Sequence, residues 1–240
     1  MRLLSEWADR FQVALQGGRR CVLCHALSAG QAVCAACAAD VAGLRRLPDR
    51  HCPLCGVPAT GGLPCGACQR RPPPQKMLTA SFRYAPPISN LVYAYKFLGQ
   101  NHLYAPLAEL MLAERPRWPE EWRPELVVAM PLSRRRLHQR GFNQSHLLAS
   151  ALAAGLQLPL LPPAAIRRRH RPPQSTLPRG QRRSNVRGVF QVAAAEQVKK
   201  RNLLLIDDVV TTGATMAELS ETLMRAGAAA VCCWALARPD

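Results

Sequence analysis

Eight of the ten cysteines in this 240-residue chain fall into four C-x-x-C pairs, which form two sets of identical spacing. Cys21 and Cys24 are followed by Cys34 and Cys37, and Cys52 and Cys55 by Cys65 and Cys68, with nine residues between the pairs in each set. A C-x-x-C turn aims two thiolates at one point. Two such turns complete a tetrahedral tetrathiolate site with Zn–S bonds of about 2.3 Å. The repeat therefore predicts two structural zinc ions in closed sites, since no His stands at a ligand spacing. Zinc would supply folding free energy to a segment too short to fold by burial alone. Pro53, Gly56 and Gly66 are expected in the knuckle turns. Spacing leaves open whether ligands pair within each set or across the two. A redox C-x-x-C belongs at a helix start beside a βαβ pattern, and four in tandem argue against that chemistry. Cys232 and Cys233, in the run AVCCWALA, are expected in the core.

A second group lies at LLLIDDVVTTGAT, residues 203–215, where an apolar run ends in two adjacent carboxylates, two threonines and a glycine. A TTGAT loop leading into a helix offers backbone N–H groups and hydroxyls to a phosphate, and Gly213 lets the backbone approach closely. Asp207 and Asp208 would repel a phosphate. They suit the hydroxyls of a sugar on the same ligand. A helix cap and a turn would need only one or two such residues, and here five polar or Gly positions crowd into residues 207–213. A ribose phosphate fits this pairing. Neither G-x-x-x-x-G-K-[ST] nor G-x-G-x-x-G occurs, so the usual nucleotide-hydrolase and dinucleotide readings are excluded.

The elements that must position these groups can be read coarsely. Residues 1–18 pattern as an amphipathic helix, 19–71 as a double zinc ribbon, and the Pro-rich break RRPPPQKM at 70–77 opens a larger domain over 77–240. In that domain LTASFRY, ELVVAMPL, NLLLIDDV and AAVCCWALA read as strands and VFQV as a short one. ISNLVYAYKFL, LYAPLAELMLAE, SHLLASALAA and MAELSETLMRAG read as helices, and SRRRLHQRGFNQ reads as a basic loop. Apolar strands alternating with helices predict an α/β fold with a mostly parallel sheet. Ligands of such sheets bind beyond the carboxyl ends of the strands, where both unusual loops fall.

The net charge is +17, which predicts anionic partners. Residues 126–195 contain twelve arginines and no Asp or Glu. Glu6, Asp9 and Arg10 interrupt any leader-like apolar stretch at the start, and the longest uncharged run, 141–166, carries three prolines. A cytoplasmic location without a transmembrane segment is therefore expected.

With these motifs in view, the chain resembles the ComF family of competence-associated proteins over nearly its whole length. IDDVVTTGAT resembles the phosphoribosyl-pyrophosphate (PRPP) loop of type I phosphoribosyltransferases. MPLSRRRLHQRGFNQSHLLA and RPPQSTLPRGQRRSNVRGVF follow the family's other two motifs in order, and the cysteine repeats correspond to its zinc ribbon. The resemblance implies a type I phosphoribosyltransferase-like domain. By it, Asp207 and Asp208 hold the ribose hydroxyls, and the loop running through Val209, Val210, Thr211, Thr212, Gly213, Ala214 and Thr215 cradles the 5′-phosphate. Arg134, Arg136 and Arg140 fall at its pyrophosphate loop, and Gln174, Arg182 and Asn185 in the mobile loop. Mg²⁺ would accompany PRPP.

Three functions are compatible with these features. The chain is a phosphoribosyltransferase with an unidentified acceptor, a protein that handles single-stranded DNA during uptake, or a PRPP-sensing regulator without turnover. Arg167, Arg168, Arg169 and Arg171 are the candidate nucleic-acid contacts, expected away from the threonine loop. Stacking support is weak within residues 126–195, where Phe142 and Phe190 are the only aromatics. No residue marks itself as a general base, although His138, His146 and His170 fall in the relevant regions.

Overall fold

A computed structural model describes residues 19–169 and 188–239. The helix expected over 1–18, and His170, Arg171, Gln174, Arg182 and Asn185, lie outside the described residues. The order is β1 (Arg19–Arg20), β2 (Leu27–Ser28), α1 (Ala35–Ala42), α2 (Gly66–Arg70), β3 (Met77–Arg83), α3 (Ile88–Phe97), α4 (Tyr104–Ala113) and β4 (Leu126–Ala129). Then follow α5 (Arg134–Arg140), α6 (Gln144–Leu156), β5 (Ile166–Arg168), β6 (Phe190–Val192), α7 (Ala195–Val198), β7 (Asn202–Val209), α8 (Ala214–Arg225) and β8 (Ala230–Arg238).

Four strands form a wholly parallel sheet in the order β3-β8-β7-β4. All nine residues of β8 are buried, because helices cover both faces, and the strand accordingly reads as an apolar run up to its last residue, Arg238. Alternate residues divide between two cores. Leu204, Ile206, Cys232 and Trp234 pack on the side of α3, α4 and α6, whereas Leu203, Leu205, Val231 and Cys233 pack on the side of α8. Cys232 and Cys233 are thus core residues, as expected. The protein is α/β, with a helix-flanked parallel sheet of type I phosphoribosyltransferase-like kind and a cysteine module ahead of it.

Both sheet edges are covered, which denies them to other chains. Val127 forms a parallel bridge with Leu160 outside β4. On the β3 side the cysteine module supplies the partners: Leu78 N–H donates to Pro53 O at 2.8 Å, and Arg83 N–H to Leu44 O at 2.7 Å. Arg238 Nη1 donates to Cys55 O and Arg46 Nη2 to Gly56 O, both at 2.6 Å. Cys21, Val33, Val41 and Leu44 share a core with α3 and α4.

The basic segment expected as a loop contains a helix, α5. Ser133 caps it by accepting the Arg136 N–H, and Gly141 ends it in the left-handed region at φ +76°. A Ser ahead of good helix formers and a Gly behind them are ordinary start and stop signals, which the run of charges obscures.

Candidate functional site

The four sulfurs of each cysteine set lie within 4.8 Å of one another, and the clusters form within each set. Cys24 and Cys34 Sγ are 3.6 Å apart, and Cys55 and Cys65 Sγ 3.7 Å. The edge of a tetrahedron with 2.3 Å bonds is about 3.8 Å, so both sets have the size of a tetrathiolate zinc site. The two knuckles repeat locally as well. Cys21 N–H donates to Ala26 O and Cys52 N–H to Val57 O, and the residue behind the second cysteine is left-handed in both, His25 at φ +60° and Gly56 at +71°. Gly66 serves differently, as the first residue of α2; Cys34 and Cys65 stand at the N-caps of α1 and α2. Burial disfavours the Cys21 thiolate, but the N–H groups of Cys24, Cys34 and Leu23 outweigh it and bring the thiol down to about 6. Cys52 is lowered to about 7 in the same way by Cys65, Leu54 and Cys55.

The second site is a cavity of about 200 Å³ at the carboxyl ends of β4 and β7. Its floor is the end of β7, where Asp207 and Asp208 stand side by side. Ser145 Oγ, in the first turn of α6, donates to Asp207 Oδ1 at 2.7 Å. Lys96, near the end of α3, places Nζ 2.7 Å from Asp208 Oδ1, and both side chains are largely buried. Burial and the adjacent Asp208 charge push Asp207 up to about 6. Thr211 and Thr212 are exposed, and Thr212 Oγ1 accepts the Ala214 N–H at 3.3 Å. Gly213, at φ +76°, turns the chain into the twelve-residue α8, whose first residues, Ala214, Thr215 and Met216, line the cavity.

Three cations come from other elements. Arg136 and Arg140, one turn apart on α5, both line the cavity, whereas Arg134 is exposed and does not. Arg140 Nη1 donates to Gln144 Oε1 at 3.0 Å. Arg168, on β5, also lines the cavity, with Nη1 donating to Pro131 O at 3.1 Å. Arg167 and Arg169 are exposed, as strand alternation requires. The expectation that residues 167–169 lie together, away from the threonine loop, therefore fails at Arg168. Burial, with Arg136 nearby, lowers Arg168, and Asp207 opposes that shift. With Lys96, four cations face two carboxylates around one cavity.

Several contributors are not marked individually by the sequence. Lys96 lies in an apolar helix far from any motif. Ser145 and Gln144 open α6 and look like cap-region residues. Gln144 is 1% exposed, and its Nε2 makes no hydrogen bond, which leaves a buried donor at the cavity wall. Among the candidate general bases, His138 is exposed and His146 half-buried, and neither lines the cavity.

Two carboxylates, a helix N-terminus and a ring of cations meet at the end of the parallel sheet of an α/β, type I phosphoribosyltransferase-like fold that carries an N-terminal tetracysteine module. No protein-family model matches the chain. Curated proteins do. The chain is 39% identical over 191 residues to DNA utilization protein YhgH of Escherichia coli, covering 78% of this chain and 83% of that protein. It is 32% identical to competence protein F of Haemophilus influenzae over 178 residues, 72% and 78% of the two chains. It is 27% identical to competence protein ComFC of Bacillus subtilis over 216 residues, 85% and 82%. The chain belongs to the ComF family, with these competence and DNA utilization proteins.

Proposed function

We propose that this protein binds PRPP in the acid-threonine cavity and acts in DNA uptake, where it handles single-stranded DNA. The observation that carries the ligand reading is the convergence of Asp207 and Asp208 with Lys96, Arg136, Arg140 and Arg168 on one cavity at the N-terminus of α8. Carboxylates accept from ribose hydroxyls, the 210–215 loop and α8 hold the 5′-phosphate, and the arginines face the pyrophosphate. Mg²⁺ would bridge the pyrophosphate, held mostly by ligand oxygens and water. If the ligand turns over, pyrophosphate leaves the anomeric carbon through a cation-like state, and the arginines stabilise the departing charge. The acceptor is then the unknown.

The DNA role rests on the names of the relatives, which are DNA utilization and competence proteins, and on the excess of positive charge. Arg167 and Arg169 keep their place as nucleic-acid contacts, because they are exposed; Arg168 is reassigned to PRPP. The proposed place of action is the cytoplasm, together with the uptake machinery. Among the described residues no helix is long and apolar enough to cross a membrane. Regulation by PRPP without turnover is the remaining alternative, and the same experiment separates it from catalysis. PRPP titration by calorimetry, followed by pyrophosphate release with and without single-stranded DNA, tests the proposal. Binding without release supports a sensor, release supports an enzyme, and absence of binding refutes the PRPP assignment.

A further inference from the structure

The α3 helix buries Ile88, Leu91, Val92 and Tyr95, and its opposite face ought to be polar. It carries Tyr93 and Phe97 instead, 55% and 58% exposed, with Leu98 beside them at 58%. These are the only exposed aromatic side chains among the described residues. They stand one helical turn apart with ring centroids 5.3 Å from each other and an interplanar angle of 43°. The fold brings basic α5 to them: the Arg140 guanidinium lies 5.1 Å from the Phe97 centroid, and Arg134, Arg135 and His138 are exposed on the same short helix.

No folding requirement accounts for this surface. Two aromatic rings in water forgo burial that either could have found in the core, so their exposure points outward, to a ligand with a π-face. The charge defines that ligand further. Residues 50–108, which include all of α3, contain no Asp or Glu, and neither do residues 126–195, which include all of α5. Neither helix of the platform therefore carries an acidic side chain of its own. A second copy of the chain would bring two such platforms together at an electrostatic cost, whereas an anion with aromatic groups satisfies both features at once. Exposed aromatics beside arginines are how single strands are bound without sequence preference.

We infer that Tyr93, Phe97 and Arg140 form a base-stacking platform for single-stranded nucleic acid, with its phosphates on the exposed basic residues of α5. This deepens the proposed DNA-handling role and rests on it. Arg140 belongs to both places, since it covers Phe97 and lines the acid-threonine cavity. A base stacked on Phe97 therefore lies beside the cavity mouth, and the strand and the small ligand share one arginine.

Fluorescence anisotropy with an oligo-dT strand and an abasic strand of equal length tests this. Wild-type protein should bind oligo-dT more tightly than the abasic strand. Phe97→Ala and Tyr93→Ala should each weaken oligo-dT binding on the order of tenfold and leave the abasic strand unaffected. Phe97→Trp should retain binding and Phe97→Leu should lose it, because leucine keeps the apolar area but has no π-face. Equal wild-type affinity for the two strands, or full binding by Phe97→Leu, overturns the platform. So does a dimer in sedimentation that Phe97→Ala converts to monomer with DNA affinity intact, which would make this face a self-interface. Calorimetry with PRPP on Tyr93→Ala keeps the two proposals separable: PRPP binding should persist there, so a failed platform leaves the cavity assignment standing.

Discussion

The tetracysteine clusters and the acid-threonine cavity both depend on side chains converging on a point, but the chain reaches that point by opposite routes. Each cluster draws its four sulfurs from seventeen consecutive residues, 21–37 and 52–68. The cavity draws its charges from α3, α5, β5 and the end of β7, spread over residues 96–208. A bound metal would close the first kind of site and supply the energy that orders it. The second kind is held open by a scaffold that must already be folded, and its like charges oppose one another until a ligand arrives. The clusters are therefore expected to respond to loss of a ligand atom by unfolding, and the cavity by losing affinity.

The largest effect expected from this contrast is metal loss. Elemental analysis should find two zinc ions, and Cys24→Ser should lose the first, giving up on the order of 10 kcal/mol of metal-coupled folding free energy in that set. Because Leu44 O and Pro53 O cover the edge of β3, the damage should extend beyond the module. Hydrogen exchange should show faster exchange at Arg83, whose N–H bonds to Leu44 O. Unchanged protection there would mean that the module and the sheet are energetically independent.

Next in size is the acid pair. Asp207→Ala with Asp208→Ala should abolish PRPP binding in calorimetry, and it should also destabilise the fold, by about 1–3 kcal/mol, because it strands Lys96 without its partner. Repulsion between the carboxylates alone would suggest the opposite sign. Lys96→Met in the same background should recover most of the stability in a denaturant titration; no recovery would show that the Lys96–Asp208 ion pair contributes little.

A smaller effect tests the division within β5. Arg168→Ala should weaken PRPP binding about tenfold or more, while Arg167→Ala with Arg169→Ala should leave PRPP affinity in place. The double variant should instead lower the slope of log affinity for single-stranded DNA against log salt, by about 0.7 for each phosphate that is no longer neutralised. Reversed effects would place the strand in the other orientation.

The smallest expected effect is on pH dependence. Asp207 holds its proton more tightly folded, at about 6, than at its ordinary value of 3.8. Its stabilising contribution is therefore complete below 3.8 and disappears as pH rises through about 6. Relative to wild type, Asp207→Asn should gain stability across that window, as followed by thermal unfolding at several pH values. PRPP affinity should fall as pH drops below about 6, since the ribose hydroxyls are to be met by a carboxylate. Flat profiles for both would indicate that Asp207 is ionised throughout.

Local chemistry is the legible part of the sequence. The C-x-x-C repeat specifies two sets of four ligands, the apolar runs imply the parallel sheet, and IDDVVTTGAT marks the end of β7, because each depends on residues close in the chain. The α5 helix is written locally too, in Ser133 and Gly141, but the run of charges masks it. What the sequence leaves open is pairing across distance. The Lys96–Asp208 ion pair, the inward turn of Arg168 between outward Arg167 and Arg169, and the meeting of Phe97 with Arg140 each join elements far apart in the chain. A strand's alternation says that one arginine of three differs from the others, yet not which face the cavity occupies. Tertiary packing decides that, because burial on one side of a sheet is settled by the helices that come to cover it, and those come from residues far away in the chain.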